Sequence, residues 1–206
     1  FDTDANFASE VSYLGVPLDT ALIDTTPVAL DDEAPMLFDV PTDITQPADA
    51  GSCTGAVVNW TEPTATDNCD LAPVVVCSPA SGSTFPAGMT TPVTVTATDD
   101  CGNVAVSTFD VTVNLTNAVD VEVRLTGSDP TSRCIRFVPD FCGASSETTL
   151  DFLDLTPGFA TAIATVEIPC GDWTKLCAKD GQHTKWAESG LMLVGNKYMA
   201  IDPFVL

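Results

Sequence analysis

Polar and apolar positions in this chain exchange places in short runs and do not recur every three or four residues. Between residues 57 and 113 the sequence reads VVNWTEPTATDNCD, then SGSTFPAGMTTPVTVTATDDCGN, then VSTFDVTV. Pro, Gly, Asn and Asp break the alternation at intervals, the pattern of half-buried antiparallel strands joined by turns. The later part predicts further strands over 119–125, 134–138, 149–153, 164–168, 174–179, 191–194 and 198–201. Residues 1–35 hold scattered apolar positions (Val11, Tyr13, Val16, Leu18, Leu22, Ile23, Val28, Leu30) punctuated by Pro17, Pro27 and Pro35. One or two short strands fit there and a helix does not. The expected fold is all-β: an extended arm over 1–35, then two tandem β-sandwich domains over 36–115 and 116–206.

Composition narrows the picture. With 206 residues and 45% hydrophobic content, two domains that each bury a modest core are expected, and wholesale disorder is not. No apolar run approaches the roughly 20 residues that span a bilayer, so membrane insertion is not expected. The chain opens on Phe1 without a basic-then-apolar leader, as at a processed terminus or a fragment boundary.

Charge is uneven. There are 29 acidic and 7 basic residues, a net charge of −22, and every Lys and Arg lies after position 120. Such a surface repels nucleic acid and anionic membranes, which need a basic patch. The acidic excess keeps a secreted protein soluble in salt and can also attract Ca²⁺. Eight cysteines in an acidic, Lys-poor, β-patterned chain read as disulfides formed outside the cytoplasm. With no Cys-x-x-Cys and one histidine, zinc and redox motifs are excluded.

The landmarks of 57–113 come in a particular order. They are Val58-x-Trp60, Pro63-x-Ala65-x-Asp67-Asn68, Gly82-Ser83-x-Phe85-Pro86-x-Gly88, Val93-x-x-Thr96-Ala97-Thr98-Asp99, Gly102-Asn103 and Phe109-x-Val111. This order resembles the hyalin repeat (HYR) module, an immunoglobulin-like sandwich of extracellular adhesive and matrix proteins. VALDDEAPMLFDVP, at 28–41, resembles the linker between such repeats. The family's cysteines before the opening Pro and in the last strand are replaced by Val40 and Ser107. The resemblance puts Cys69 and Cys101 in loops at one pole, implying a Cys69–Cys101 bridge and leaving Cys53 for Cys77. It also places Trp60 in the core. Over 164–184, ATVEIPCGDWTKLCAKDGQHT is similar to the strand–Pro–Gly–aromatic–strand element of transthyretin-like or Cna-B-like modules, and with SRCIRFVPDFC to a module of bacterial secreted proteins. Nested bridges, Cys134–Cys177 with Cys142–Cys170, and sequential ones, Cys134–Cys142 with Cys170–Cys177, both remain open.

Three kinds of site are candidates. If the two polar loops meet, Asp67, Asp70, Asp99 and Asp100 converge, and loop carboxylates with backbone carbonyls are the ligands Ca²⁺ takes. The competing reading is that these acids are solvated and cap their own turns. Apart from Ca²⁺, no cofactor is expected. The acids Asp31, Asp32 and Glu33 read as a charged hinge. Among Trp173, Trp186 and Tyr198, Trp186 in a polar loop is the exposed ring expected to stack on a sugar. Of the sequons at Asn59 and Asn114, Asn114 at the domain boundary is the expected acceptor. His183 lacks a Gly-x-Ser-x-Gly nucleophile or enough partners for catalytic zinc, so no enzyme is expected. The sequence therefore predicts a non-enzymatic extracellular or cell-surface protein, structural or adhesive. Its partners would be other matrix components or neighbouring copies that accept the arm as a strand. A carbohydrate-binding module is the alternative.

Overall fold

The structure is a computed structural model that describes residues 31–126, 132–140, 144–156, 159–181 and 186–206. The described residues from Glu33 to Leu206 belong to one compact unit. The donor-strand expectation for the arm falls almost wholly outside the described residues, as does His183. Every regular element described is a strand, in sheets with no closed barrel.

The first strands are β1 (Met36–Phe38), β2 (Ile44–Ala48), β3 (Gly55–Val57), β4 (Thr64–Thr66), β5 (Val74–Ser78), β6 (Thr84–Pro86) and β7 (Met89–Thr98). β8 (Val104–Thr126) follows, 23 residues without a break. After it come β9 (Ser132–Pro139), β10 (Ser146–Asp151), β11 (Leu153–Thr156), β12 (Phe159–Pro169), β13 (Lys175–Asp180), β14 (Ala187–Val194), β15 (Lys197–Ala200) and β16 (Phe204–Val205). Each strand expected after residue 116 lies within or across one of these, the 149–153 prediction being split between β10 and β11.

β8 organises the molecule. Its first half pairs antiparallel with β7 and parallel with β2, and its second half pairs antiparallel with β12 and parallel with β15 and β16. The alternation holds on either side of Leu115, which is 58% exposed: Phe109, Val111 and Val113 before it and Val119, Val121, Val123 and Leu125 after it are buried. A period of two puts each of these sets on one face of the strand. Phe109, Val111 and Val113 pack with Val58, Phe85, Val93 and Val95. Val119 to Leu125 pack with Ile135, Phe137, Ile168, Leu176 and Phe204. Each such side chain contributes roughly 1.5–3 kcal/mol on burial. The expected boundary at 115/116 thus falls inside a strand that both cores share.

The seam between the cores is polar and saturated. Asn117, fully buried, donates through Nδ2 to the carbonyls of Ala48 and Asp49, each at 3.1 Å, and accepts from the Gly171 amide at 2.8 Å. The Ala50 amide donates to Asn196 O at 2.8 Å and the Cys170 amide to Leu115 O at 3.3 Å. Beyond the seam, β14 changes sheets: residues 187–190 pair with β13 and 191–194 with β15.

Candidate functional site

The cysteines correct the sequence reading most. A disulfide joins Cys53 to Cys170, 117 residues apart, across the seam. It replaces both the expected Cys53–Cys77 bridge and each expected partner of Cys170, because the loop before β3 lies against the end of β12. Cys77 instead sits in β5 as a core thiol opposite Val95. Burial is the largest cause of a pKa pushed up from its ordinary value. Cys134–Cys177 is ruled out by register, since Cys177 lies opposite Val138, four positions from Cys134 and so roughly 13 Å along the strand. The Cys177 thiol is buried and its pKa raised, first by that burial and then by Glu188. Cys142, and with it the Cys134–Cys142 alternative, lies outside the described residues.

At the pole, the expected convergence of loops occurs by a different bond. Asp67 Oδ1 accepts from the amides of Cys69 and Asp70, at 3.0 and 2.9 Å, and Asp70 Oδ1 accepts from Ala72 N at 2.9 Å. Asp70 Oδ2 then reaches the second loop, accepting from Asp100 N at 3.1 Å. Asp99, buried, accepts from Asn103 N and Asn103 Nδ2, each at 2.8 Å. Burial works against the Asp99 charge, but these bonds, with those from the Gly102 and Cys101 amides, outweigh it and hold the carboxyl below its ordinary value. A carboxylate oxygen of Asp67 lies within 4.8 Å of one of Asp99. Cys69 and Cys101 are both exposed on these loops, and Cys101 is a thiol, so a hydrogen bond through Asp70 joins the loops where a bridge was expected.

The aromatic residues differ in their surroundings. Trp60 packs edge-on against Phe85 and Phe109, with centroids 6.1 and 5.2 Å away. Trp173 donates from Nε1 to Pro169 O at 2.7 Å, and its amide donates to the buried Tyr198 hydroxyl. That hydroxyl in turn donates to Gly171 O at 2.9 Å. Trp186 remains 42% exposed. Of the two sequons, Asn114 lies mid-strand in β8 opposite Pro47 and is half-buried, and Asn59 is exposed beyond the end of β3.

Trp186 borders a groove of about 340 Å³ with Cys134, Arg136, Glu147, Lys179 and Gly181. Arg136, on β9, faces Glu147 of β10 on one side and Lys179 of β13 on the other. Lys179 Nζ lies 5.5 Å from the centre of the Trp186 ring, and Arg136 Nη2 donates to Ser145 Oγ at 3.1 Å. The intervening residues Ile135, Phe137 and Ala178 are fully buried, so the floor of the groove is the back of the core. Sequence reading named Trp186 and missed the two cations. The signal was there in the alternation Ile135-x-Phe137 on β9, which puts Arg136 between two core residues and so on the outward face.

Comparison with known proteins places the first part of the chain. Residues 30–113 match the family model of the HYR domain. The chain is also 41% identical over 68 residues to hyalin of Lytechinus variegatus, an alignment covering 33% of this chain and 12% of hyalin. It thus spans a small fraction of that relative's length.

Proposed function

We propose that this chain is a non-enzymatic part of an extracellular surface or matrix protein, acting as a structural or adhesive element. The match of residues 30–113 to the HYR domain carries the reading. A disulfide-closed seam suits oxidising surroundings. No helix of the described residues is long and apolar enough to cross a membrane. We divide the chain into a first sandwich to about residue 115, a second to Leu206 of transthyretin-like or Cna-B-like character, and the arm over 1–35.

Within this reading the arm donates a strand to a neighbouring copy, and repetition head to tail gives a filament, since such a contact does not close on itself. Light scattering and negative-stain imaging of the full chain and of a chain lacking residues 1–30 test this. Fibres that depend on the arm support it, and a monomer in both samples removes it. Calcium belongs to the same reading, at Asp67 and Asp99 with Asp70 and Asp100 on the flanking turns. A rise in melting temperature with Ca²⁺, reversed by EGTA and blunted in the double variant Asp67→Asn, Asp99→Asn, is the expected result. An unchanged melting temperature discards the metal.

A further inference from the structure

We infer that the groove between Arg136, Lys179 and Trp186 binds an acidic sugar, a pyranose ring carrying a carboxylate. The inference stands apart from the structural role proposed above. Its groove lies in the second part of the chain, outside the segment that matches the HYR domain.

Three chemistries meet on one face. Trp186 offers an exposed ring, and the apolar C–H face of a pyranose packs on such a surface. Arg136 offers a planar fork of donors that matches a carboxylate in two-point geometry, and its bond to Ser145 Oγ orients that fork. Lys179 adds a second positive charge beside the ring. Glu147, directly across from Arg136, supplies an acceptor for a sugar hydroxyl. The volume, about 340 Å³, lies at the small end of ligand pockets, which run from about 300 to 1,000 Å³, and so suits one or two rings. Charge argues for an anion here: the chain carries −22 overall and has seven basic residues, yet two of them meet in this groove. Glu147 can balance only one of the two cations, so a neutral sugar leaves a net positive charge in the groove, and a simple anion leaves the aromatic face uncovered.

The experiment is a calorimetric titration of the full chain with trigalacturonate, alongside maltotriose and acetate as single-feature controls. Saturable binding of trigalacturonate is expected, with maltotriose and acetate each at least about tenfold weaker, the size of one charge-assisted contact. Trp186→Ala and Arg136→Ala should each weaken binding by about tenfold or more with the melting temperature unchanged. Arg136→Lys should fall between Arg136→Ala and wild type, because it keeps the charge and loses the fork. Absence of saturable binding at millimolar trigalacturonate overturns the inference. So does equal affinity for maltotriose or acetate, or binding that survives both alanine variants.

Discussion

Replacing both Cys53 and Cys170 by serine tests the seam directly. The bridge closes a loop of 117 residues. Loop-closure entropy of −2.1 − 1.5R ln n cal/mol/K gives about 5 kcal/mol at 25 °C for a loop of that length. Real unfolded chains keep residual structure, so about 3–5 kcal/mol is the expected loss. The native fold should survive, because Asn117, the Ala50–Asn196 bond and the Cys170–Leu115 bond still join the cores. For a chain of this size each kcal/mol shifts the melting temperature by roughly 2–4 °C, so a fall of about 6–20 °C is predicted. The assay is urea and thermal unfolding of wild type, the double variant and both single variants, after peptide mapping of the bridge in wild type. Either single substitution abolishes the bond, so all three variants should lose a similar amount. Variants within about 1 kcal/mol of wild type would refute the entropic argument, and a map that pairs Cys53 with Cys77 would refute the seam itself.

Asn117→Ala strips partners from the buried Ala48 carbonyl, the half-buried Asp49 carbonyl and the Gly171 amide, and should cost about 3 kcal/mol, read as a shift in the urea midpoint. Gly171→Ala places a Cβ 2.4 Å from the Trp173 ring, so the indole must leave its bond to Pro169; a loss of about 2 kcal/mol and a changed near-ultraviolet tryptophan band are expected. Asp99 is held below its unfolded value of 3.8, so its stabilisation is present above that pH and disappears as pH falls through the folded value. The stability difference between wild type and Asp99→Asn should therefore be largest near neutral pH and shrink on acidification, and a difference that grows would reverse the sign. Asp120 follows the same rule through its hydrogen bonds from Lys197 and Thr165; being about one-third exposed, it should yield only about 0.5 kcal/mol in Lys197→Met.

The strands were legible because alternation is a local property of the chain. Val119, Val121, Val123 and Leu125 announce an inward face whatever surrounds them. The continuity of β8 is legible too, since residues 104–126 contain neither Gly nor Pro, and a boundary at 115/116 falls where the chain offers neither of these turn residues. The disulfides were not legible, because spacing does not fix connectivity among eight cysteines. Cys53 and Cys170 become neighbours only through β8 joining two cores, a long-range consequence that no local pattern carries. At the pole, turn capping by Asp67 and Asp99 is local and stood beside calcium as one of two readings, but the Asp70–Asp100 bond depends on how two loops separated by a hairpin are folded back. Arg136 was legible as an outward cation from its place between Ile135 and Phe137, whereas Lys179 meets it only through the pairing of β13 with β9.

The parallel pairing of β2 and β16 with β8 has a mechanical consequence. Tension applied towards residue 33 at one end and beyond Leu206 at the other draws β2 backward and β16 forward along a common central strand. Hydrogen bonds across both pairings are then loaded together in shear, whereas a terminal hairpin would open one rung at a time. The Leu206 amide and carbonyl, bonded to Arg124 O and Thr126 N, extend the resisting ladder to the last residue. Behind that ladder, the Cys53–Cys170 bond sets a covalent limit on how far the chain lengthens once strands begin to slide, because the 117-residue span it closes cannot pay out while it is intact.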